Sequence, residues 1–236
     1  MKIQGSVALV TGANRGIGKA LVTALVDAGA SKVYAAARDT SSIVGSDKVI
    51  PLTLDVTDAA SVAAAAEKAK DVTLLINNAG VLEGGAIAEA DQPTVDRHFA
   101  VNFHGKRAMV AAFAPAIEEN GGGAIVNLLT LIALASMPGF GVYNASKAAA
   151  WSMTQSIRAD LGKKGIAVHG VFPGAVDTDM LAGVEMDKTK PEDVANAIVE
   201  GVEAGEEDIF PDPMSTAVYG QWKVDHKAVE HQFSAY

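Results

Sequence analysis

The sequence has no cysteine, which excludes disulfides, thiolate metal sites and cysteine nucleophiles. It also lacks a basic excess: 19 Lys and Arg stand against 28 Asp and Glu, for a net charge of −9. That balance argues against nonspecific binding to nucleic acid or to anionic membranes. No uninterrupted apolar run approaches membrane-spanning length. The N-terminus carries no basic segment followed by a signal-like apolar run. A cytoplasmic protein is therefore expected, with no metal, nucleic-acid or membrane partner. Long low-complexity tracts are absent, and the Ala-rich run 59–69 reads as a helix with small packing residues. Asn144-Ala-Ser146 matches a glycosylation sequon, which has meaning only in a secreted chain.

Apolar residues make up 49% of the 236, enough to build a core. One domain spanning 1–236 is expected. Its organising stretch is residues 6–29. Ser6–Thr11 is a short apolar run with β-branched residues and reads as a buried strand. A glycine turn follows at Gly12, Gly16 and Gly18, and then a helix from Lys19 to Ala28 stopped by Gly29. Strand, glycine turn and helix form the first half of a dinucleotide-binding unit. Missing Cβ atoms let main chain approach a phosphate, and the first helical N–H groups face the anion. The spacing is GxxxGxG. It is not a P-loop, because Ala13 and Ala20 stand where that motif needs Gly and Ser or Thr.

Further strands are expected at 32–37, 48–53, 72–77, 124–129, 166–171 and 209–210. Helices are expected near 58–69, 99–119, 143–162, 191–204 and 213–231. The strands are apolar runs rather than alternating ones, which suits a parallel sheet covered on both faces. The fold class is α/β, Rossmann-like and doubly wound, with ligands at the carboxyl ends of the strands. The substrate pocket is expected in the loops after strands four, five and six.

Cofactor preference is written after the second strand. An NAD-binding fold usually places an acidic residue there, but here Ala37 is followed by Arg38. Arg15 lies in the glycine turn. Two guanidiniums would fork onto a ribose 2′-phosphate, so NADP(H) is favoured over NAD(H). The alternative is that Arg38 is a surface charge beside Asp39. Asp55-Val56 ends the third strand; its carboxylate suits either an adenine amino group or a helix cap. Asn77-Asn78-Ala79-Gly80 ends the fourth strand, with small residues that let a cofactor lie on main chain.

Tyr143 and Lys147 are four apart at a helix start and share a face. A nearby ammonium favours the phenolate, so Tyr143 is a candidate acid/base and Lys147 a candidate pKa-lowering, ribose-holding group. Thr130 follows the fifth strand, where its hydroxyl suits either a substrate oxygen or a turn. Asn102 is a polar amide in an apolar helix, paired either with local backbone or with water leading to Lys147. Pro173-Gly174-Ala-Val176-Asp-Thr178 forms a turn that suits a nicotinamide carboxamide.

Taken together these motifs resemble the short-chain dehydrogenase/reductase family over nearly the whole chain. Thr11–Gly18, with Gly12, Asn14, Arg15, Gly16, Ile17 and Gly18, resembles its TGxxxGxG turn. Leu54-Asp55-Val56 is similar to its adenine contact, and Asn77–Gly80 to its NNAG segment. Tyr143–Lys147 is similar to its YxxxK pair, Asn102 to its catalytic asparagine, and Pro173–Thr178 to its nicotinamide-side loop. The resemblance implies a seven-stranded parallel sheet ordered 3-2-1-4-5-6-7 and hydride exchange with a carbonyl or alcohol carbon. It implies Tyr143 as acid/base, Lys147 as its partner, and Asn102 in a water-linked relay. Members with basic residues at the positions of Arg15 and Arg38 usually prefer NADP(H). One departure stands out: the family's serine, thirteen residues before the tyrosine, is here Thr130. Threonine keeps the hydroxyl and adds a methyl, which narrows the pocket.

The pocket is expected to draw on Val81, Leu82, Leu131, Ile132, Met137, Phe140 and the short segment after Thr178. That lining suits a neutral aldehyde or ketone with an apolar body. A homodimer or homotetramer is expected through the helices near 99–119 and 143–162. The alternatives are a cofactor-binding regulatory or structural protein, and a reductase of an imine or polyol.

Overall fold

The computed structural model describes residues 1–235. Seven strands form one sheet in the order β3-β2-β1-β4-β5-β6-β7. They are β1 (Val7–Thr11), β2 (Lys32–Ala37), β3 (Val49–Thr53), β4 (Leu74–Asn77), β5 (Gly123–Leu128), β6 (Ile166–Val171) and β7 (Asp208–Ile209). Every pairing is parallel. The expected strand order and doubly wound architecture are found.

Period-two alternation explains why the strands read as apolar runs. Val10, Ile76 and Val126 face one side of the sheet, against Leu21 and Leu25 of α1 (Gly16–Asp27) and Val194 and Ile198 of α6 (Pro191–Ala204). Their neighbours Leu9, Leu75 and Ile125 face the other side. There they meet Val62 of α2 (Ala59–Lys68) and Met109 and Phe113 of α4 (Lys106–Glu119). Both faces are buried, so neither can alternate with polar residues.

Strand order reverses between β1 and β4, whose carboxyl ends lie side by side. Such a switch point leaves a crevice for ligands. α5 (Gly141–Gly162) packs on β6 and carries the tyrosine and lysine of the YxxxK pair.

Two expected helices differ. The helix expected near 99 begins earlier, as α3 (Gln92–Phe99), continues through a π-helical segment Ala100–Gly105, and then becomes α4. Asp91 caps α3 by accepting from Thr94 N, with Pro93 in the first turn. Only His98 of α3 is buried, so this polar helix has no apolar stripe to announce it. The single helix expected over 213–231 is two, α7 (Pro213–Val224) and α8 (His226–Ser234). Asp225 breaks them with non-helical backbone and caps α8 by accepting from Ala228 N.

Candidate active site

The β1–α1 turn and the end of β4 are tied together by side chains that bond main chain across the gap. Asn78 Nδ2 donates to Thr11 O at 2.9 Å and to Gly12 O at 3.1 Å. Thr11 Oγ1 accepts from Ala79 N at 3.0 Å. Gly12 has φ +65° and Gly16 φ +51°, a region that favours glycine. A Cβ on Gly18 would lie 2.1 Å from Gly12 O, so that position admits no side chain. Arg15 precedes α1 with extended backbone and no side-chain cap, and the first turn holds no acidic residue. The first N–H groups of α1 therefore remain available to an anion.

A cleft of about 500 Å³ opens above this turn. Its walls come from the glycine turn, Ala37–Asp39, Leu54–Thr57, Asn78–Val81 and Thr178–Met180. The glycine cradle, the free helix N-terminus and a cleft lined from the glycine turn to Gly80 fit a dinucleotide. Val56 lies in this wall beside Asp55. Asp55 Oδ1 accepts from Thr57 N and Thr57 Oγ1, which holds its carboxyl below the usual range. It does not cap α2; Asp58 does, accepting from Ala60 N at 3.0 Å.

Arg15 and Arg38 both line the cleft, but they engage different groups. Arg15 Nη1 reaches Asp179 Oδ2 at 3.4 Å across the cleft mouth, an exposed pair. Arg38 lies near enough to Asp55 to help lower its pKa, after the Thr57 bonds. Asp39 also lines the cleft and accepts from Ser41 N at 2.9 Å.

The loop after β6 is pinned from behind. Gly174 N donates to Asp212 Oδ2 at 2.8 Å, while Pro173 O accepts from Leu131 N at 2.9 Å. Asp212 is buried and caps α7 by accepting from Ser215 N at 2.8 Å. Val176 packs in the core, and Thr178 leans on the cradle. A Cβ on Gly16 would meet Thr178 Cγ2 at 3.1 Å.

The reactive groups meet at the inner end of the NNAG segment. A Cβ on Gly80 would lie 3.3 Å from Asn102 Oδ1 and 3.6 Å from Lys147 Nζ. Lys147 Nζ donates to Leu128 O at 3.0 Å and stands 5.6 Å from the centre of the Tyr143 ring. Thr130, in extended conformation just past β5, lies close enough to the Tyr143 phenol for its hydroxyl to favour the phenolate. His98 meets the tyrosine ring edge-on at 6.4 Å.

Burial pushes Tyr143 up to about 12, and the Thr130 hydroxyl is what pulls it down. Lys147 is itself desolvated and lowered to about 8, so the ammonium expected to act on the phenol has weakened. The Asn102 amide takes local backbone, one of the two partners expected for it. Its Oδ1 accepts from Val81 N, and its Nδ2 donates to Val81 O and Ser146 Oγ. Ser146 Oγ in turn donates to Tyr143 O at 2.8 Å. The amide therefore clamps the loop after β4 to the first turn of α5. The π-helical segment that carries it is a common feature of functional sites.

The expected pocket lining changes. Leu131 turns away and packs with Ala135, Val229 and Phe233 beneath α8, with Ile132 beside them. The exposed apolar side chain in the cleft wall is instead Met180. Three residues escaped the sequence reading. Ser146 lies inside the YxxxK spacing and Asp212 in the turn before α7, with no local pattern to mark either. Lys106 left a signal: it is a lone charge on the buried face of α4, one turn from Asn102.

The comparisons agree with this geometry. Residues 6–189 match the model of the short chain dehydrogenase family. Sorbitol dehydrogenase from Cereibacter sphaeroides is 37% identical over 195 residues, covering 78% of this chain and 76% of that one. The 7alpha-hydroxysteroid dehydrogenase of Escherichia coli K12 is 31% identical over 224 residues, covering 84% and 87%. A short chain dehydrogenase from Burkholderia cenocepacia, solved in complex with NADP, superposes with a TM-score of 0.94 at 37% identity over 99% of both chains. One from Burkholderia phymatum, in complex with NAD, gives 0.85 at 27% identity, covering 98% and 96%. Motifs, strand order and likeness over most of the length agree: the chain belongs to the short-chain dehydrogenase family.

Proposed function

We propose that this chain is an NADP(H)-dependent oxidoreductase that interconverts a carbonyl group and an alcohol. The observation that carries the reading is the convergence of Tyr143, Thr130 and Lys147 beside Gly80, where the dinucleotide cleft ends. A bound nicotinamide would supply or accept the hydride. Thr130 would hold the substrate oxygen next to the phenol. Tyr143, kept protonated by burial, would deliver its proton to that oxygen as the alcohol forms. Lys147 would hold ribose hydroxyls and, once protonated, favour the phenolate left behind. Asn102 would act as a positioning residue through Ser146 and Val81. Gly12, Asn14, Gly16, Ile17 and Gly18 would carry the phosphates, Asp55 and Val56 the adenine, and Pro173, Gly174, Val176 and Thr178 the nicotinamide side.

NADP(H) preference rests on Ala37 where a carboxylate would repel the 2′-phosphate, and on Arg15 and Arg38 in the cleft wall. The substrate we favour is an aldehyde or ketone with an apolar body. Met180 in the cleft wall supports it, as does the likeness to a hydroxysteroid dehydrogenase. A polyol is the second reading, favoured by the likeness to a sorbitol dehydrogenase. After Thr154, α5 leaves Gln155, Ser156, Ala159 and Asp160 exposed, which suits a face for a second copy in a homodimer or homotetramer.

The test is cofactor turnover with a panel of ketones, aldehydes and polyols, each with NADP(H) and NAD(H). The expected result is NADPH oxidation by apolar carbonyl compounds. Turnover only with sorbitol-like polyols would replace the substrate reading, and no turnover with any member would discard the enzyme reading.

A further inference from the structure

Lys106 is 3% exposed, yet it forms no ion pair among the described residues. Its Nζ donates to Asn77 O at 2.7 Å and to Ala79 O at 3.3 Å. Lys147 is buried in the same way: it has no ion pair and donates to Leu128 O. The two carbonyl sets end adjacent strands, β4 and β5. The amines therefore flank the Ala79–Gly80 peptide, with Lys106 on the Ala79 oxygen and Lys147 facing the Gly80 Cα.

Burying an ammonium without a counter-charge is costly, and burying two together costs more. A methionine of similar length would fill the Lys106 space without that cost. The polar contacts are therefore what distinguishes lysine here. We propose that Lys106 is a second functional amine of this site. It is a positioning residue that holds the Asn77–Ala79 strand end and competes with Lys147 for one positive charge until an anionic cofactor binds.

Lys106 sits well below the ordinary lysine range, through burial first and the Lys147 charge second. Of the groups packed around the pair, Tyr143 on α5 is a protonated phenol. His98 on α3 has both ring nitrogens occupied, Nδ1 by Thr94 O and Nε2 by Glu83 N. Lys147 is thus the charge that acts on Lys106, and two amines flanking one peptide are expected to titrate as a coupled pair. A dinucleotide brings several negative charges. Its field favours both ammoniums, so binding draws a proton from solvent. The last step rests on the cofactor reading above; the coupling of the two amines does not.

The first readout therefore needs no cofactor. Lysine side-chain NMR signals are followed against pH in the wild type, Lys106→Met and Lys106→Arg. Two amines should titrate below the ordinary range in the wild type. In Lys106→Met one should remain, its midpoint raised by about one unit. In Lys106→Arg, whose charge is permanent, the Lys147 midpoint should fall below the wild-type value. A Lys147 midpoint unchanged in both variants overturns the proposal and leaves Lys106 a packing strut. The second readout is NADPH binding by calorimetry near pH 8 in two buffers of different ionisation enthalpy. The wild type should take up protons and Lys106→Met less than half as many. Equal uptake by both overturns the proposal. Failure of the wild type to bind NADPH sinks the cofactor reading instead, and the NMR titration still decides Lys106.

Discussion

The two ends of the cleft are built by different means. At the glycine-turn end, the Asn78 and Thr11 side chains bond main chain across the turn, and Gly18 leaves no room for a methyl group. In the wall formed by Thr178–Met180, Met180 instead presents a free side chain, 44% exposed. One end is specified by the absence of atoms, the other by a side chain that can be exchanged. The first should break when anything is added. The second should only shift its preference. The reactive groups stand between them, fixed by clamps that run from Val81 through Asn102 and Ser146 to Tyr143.

The largest effect is expected at that junction. Tyr143→Phe removes one oxygen and keeps the ring that faces His98. It should lower kcat by about 10²–10⁴-fold, the range for a lost proton donor, while the NADPH dissociation constant stays unchanged. Near-normal kcat would discard the acid/base role. Gly18→Ala attacks the backbone-built end. Its Cβ would sit 2.1 Å from Gly12 O and 2.6 Å from Asn78 Nδ2. The turn must open, so nucleotide binding should be lost and stability should fall by about 1–3 kcal/mol. Wild-type NADPH affinity and melting temperature in this variant would contradict the contrast drawn above. Arg38→Ala is smaller. Losing a charge-assisted contact of about 1.5–3 kcal/mol should cut the kcat/KM ratio of NADPH over NADH by roughly 10-fold or more. Arg15→Ala should do less, because Arg15 must first leave Asp179.

The same contrast explains what could be read from the chain. Gly12, Gly16 and Gly18 were legible because their role is the lack of a side chain, and strand-turn-helix order supplies the context. Tyr143 and Lys147 were legible because four residues separate them on one helix face. The strand order was legible through the same family motifs. The start of α3 was hidden because Gln92–Phe99 buries only His98. The turn at Asp225 was hidden because one capping aspartate ends one helix and starts the next. Leu131 was assigned to the pocket because it follows Thr130, but the short turn Leu131–Ala133 rotates it towards Val229 and Phe233. Asp212 acts on Gly174 across 38 residues, a distance no local pattern covers. The burial that shifts both Tyr143 and Lys147 was hidden too, because the spacing of four carries no record of how deeply the pair is packed.

Burial of the lysines also gives the free protein a signed pH dependence. Lys147 titrates near 8 when folded, against 10.5 for an ordinary lysine. Between those values the unfolded chain holds a proton that the folded chain has released, so stability rises with pH. The slope is at most about 1.4 kcal/mol per pH unit for one such group. Lys106, also lowered, adds in the same direction. Above about pH 10 the sign reverses, because the phenol ionises first in the unfolded chain while the folded one holds it to about 12. Urea midpoints should therefore rise from about pH 8 to about pH 9.5 in the wild type. In Lys147→Met the rise should shrink to the share carried by Lys106, and an equal rise in both would contradict the desolvation of Lys147.

The smallest effect belongs to the rim. Met180 is 44% exposed and packs loosely beside the cleft mouth. Met180→Ala removes half-solvated apolar area, so folding stability should change by less than about 0.5 kcal/mol. What it removes from a bound apolar substrate is about 1 kcal/mol of contact, a rise in KM of roughly fivefold with kcat unchanged. KM for a small aldehyde too short to reach the rim should not move. If both substrates lose equally, Met180 acts on the cofactor or the Arg15–Asp179 pair beside it rather than on substrate, and the division between a backbone-built end and a side-chain-built end would have to be redrawn around that loop.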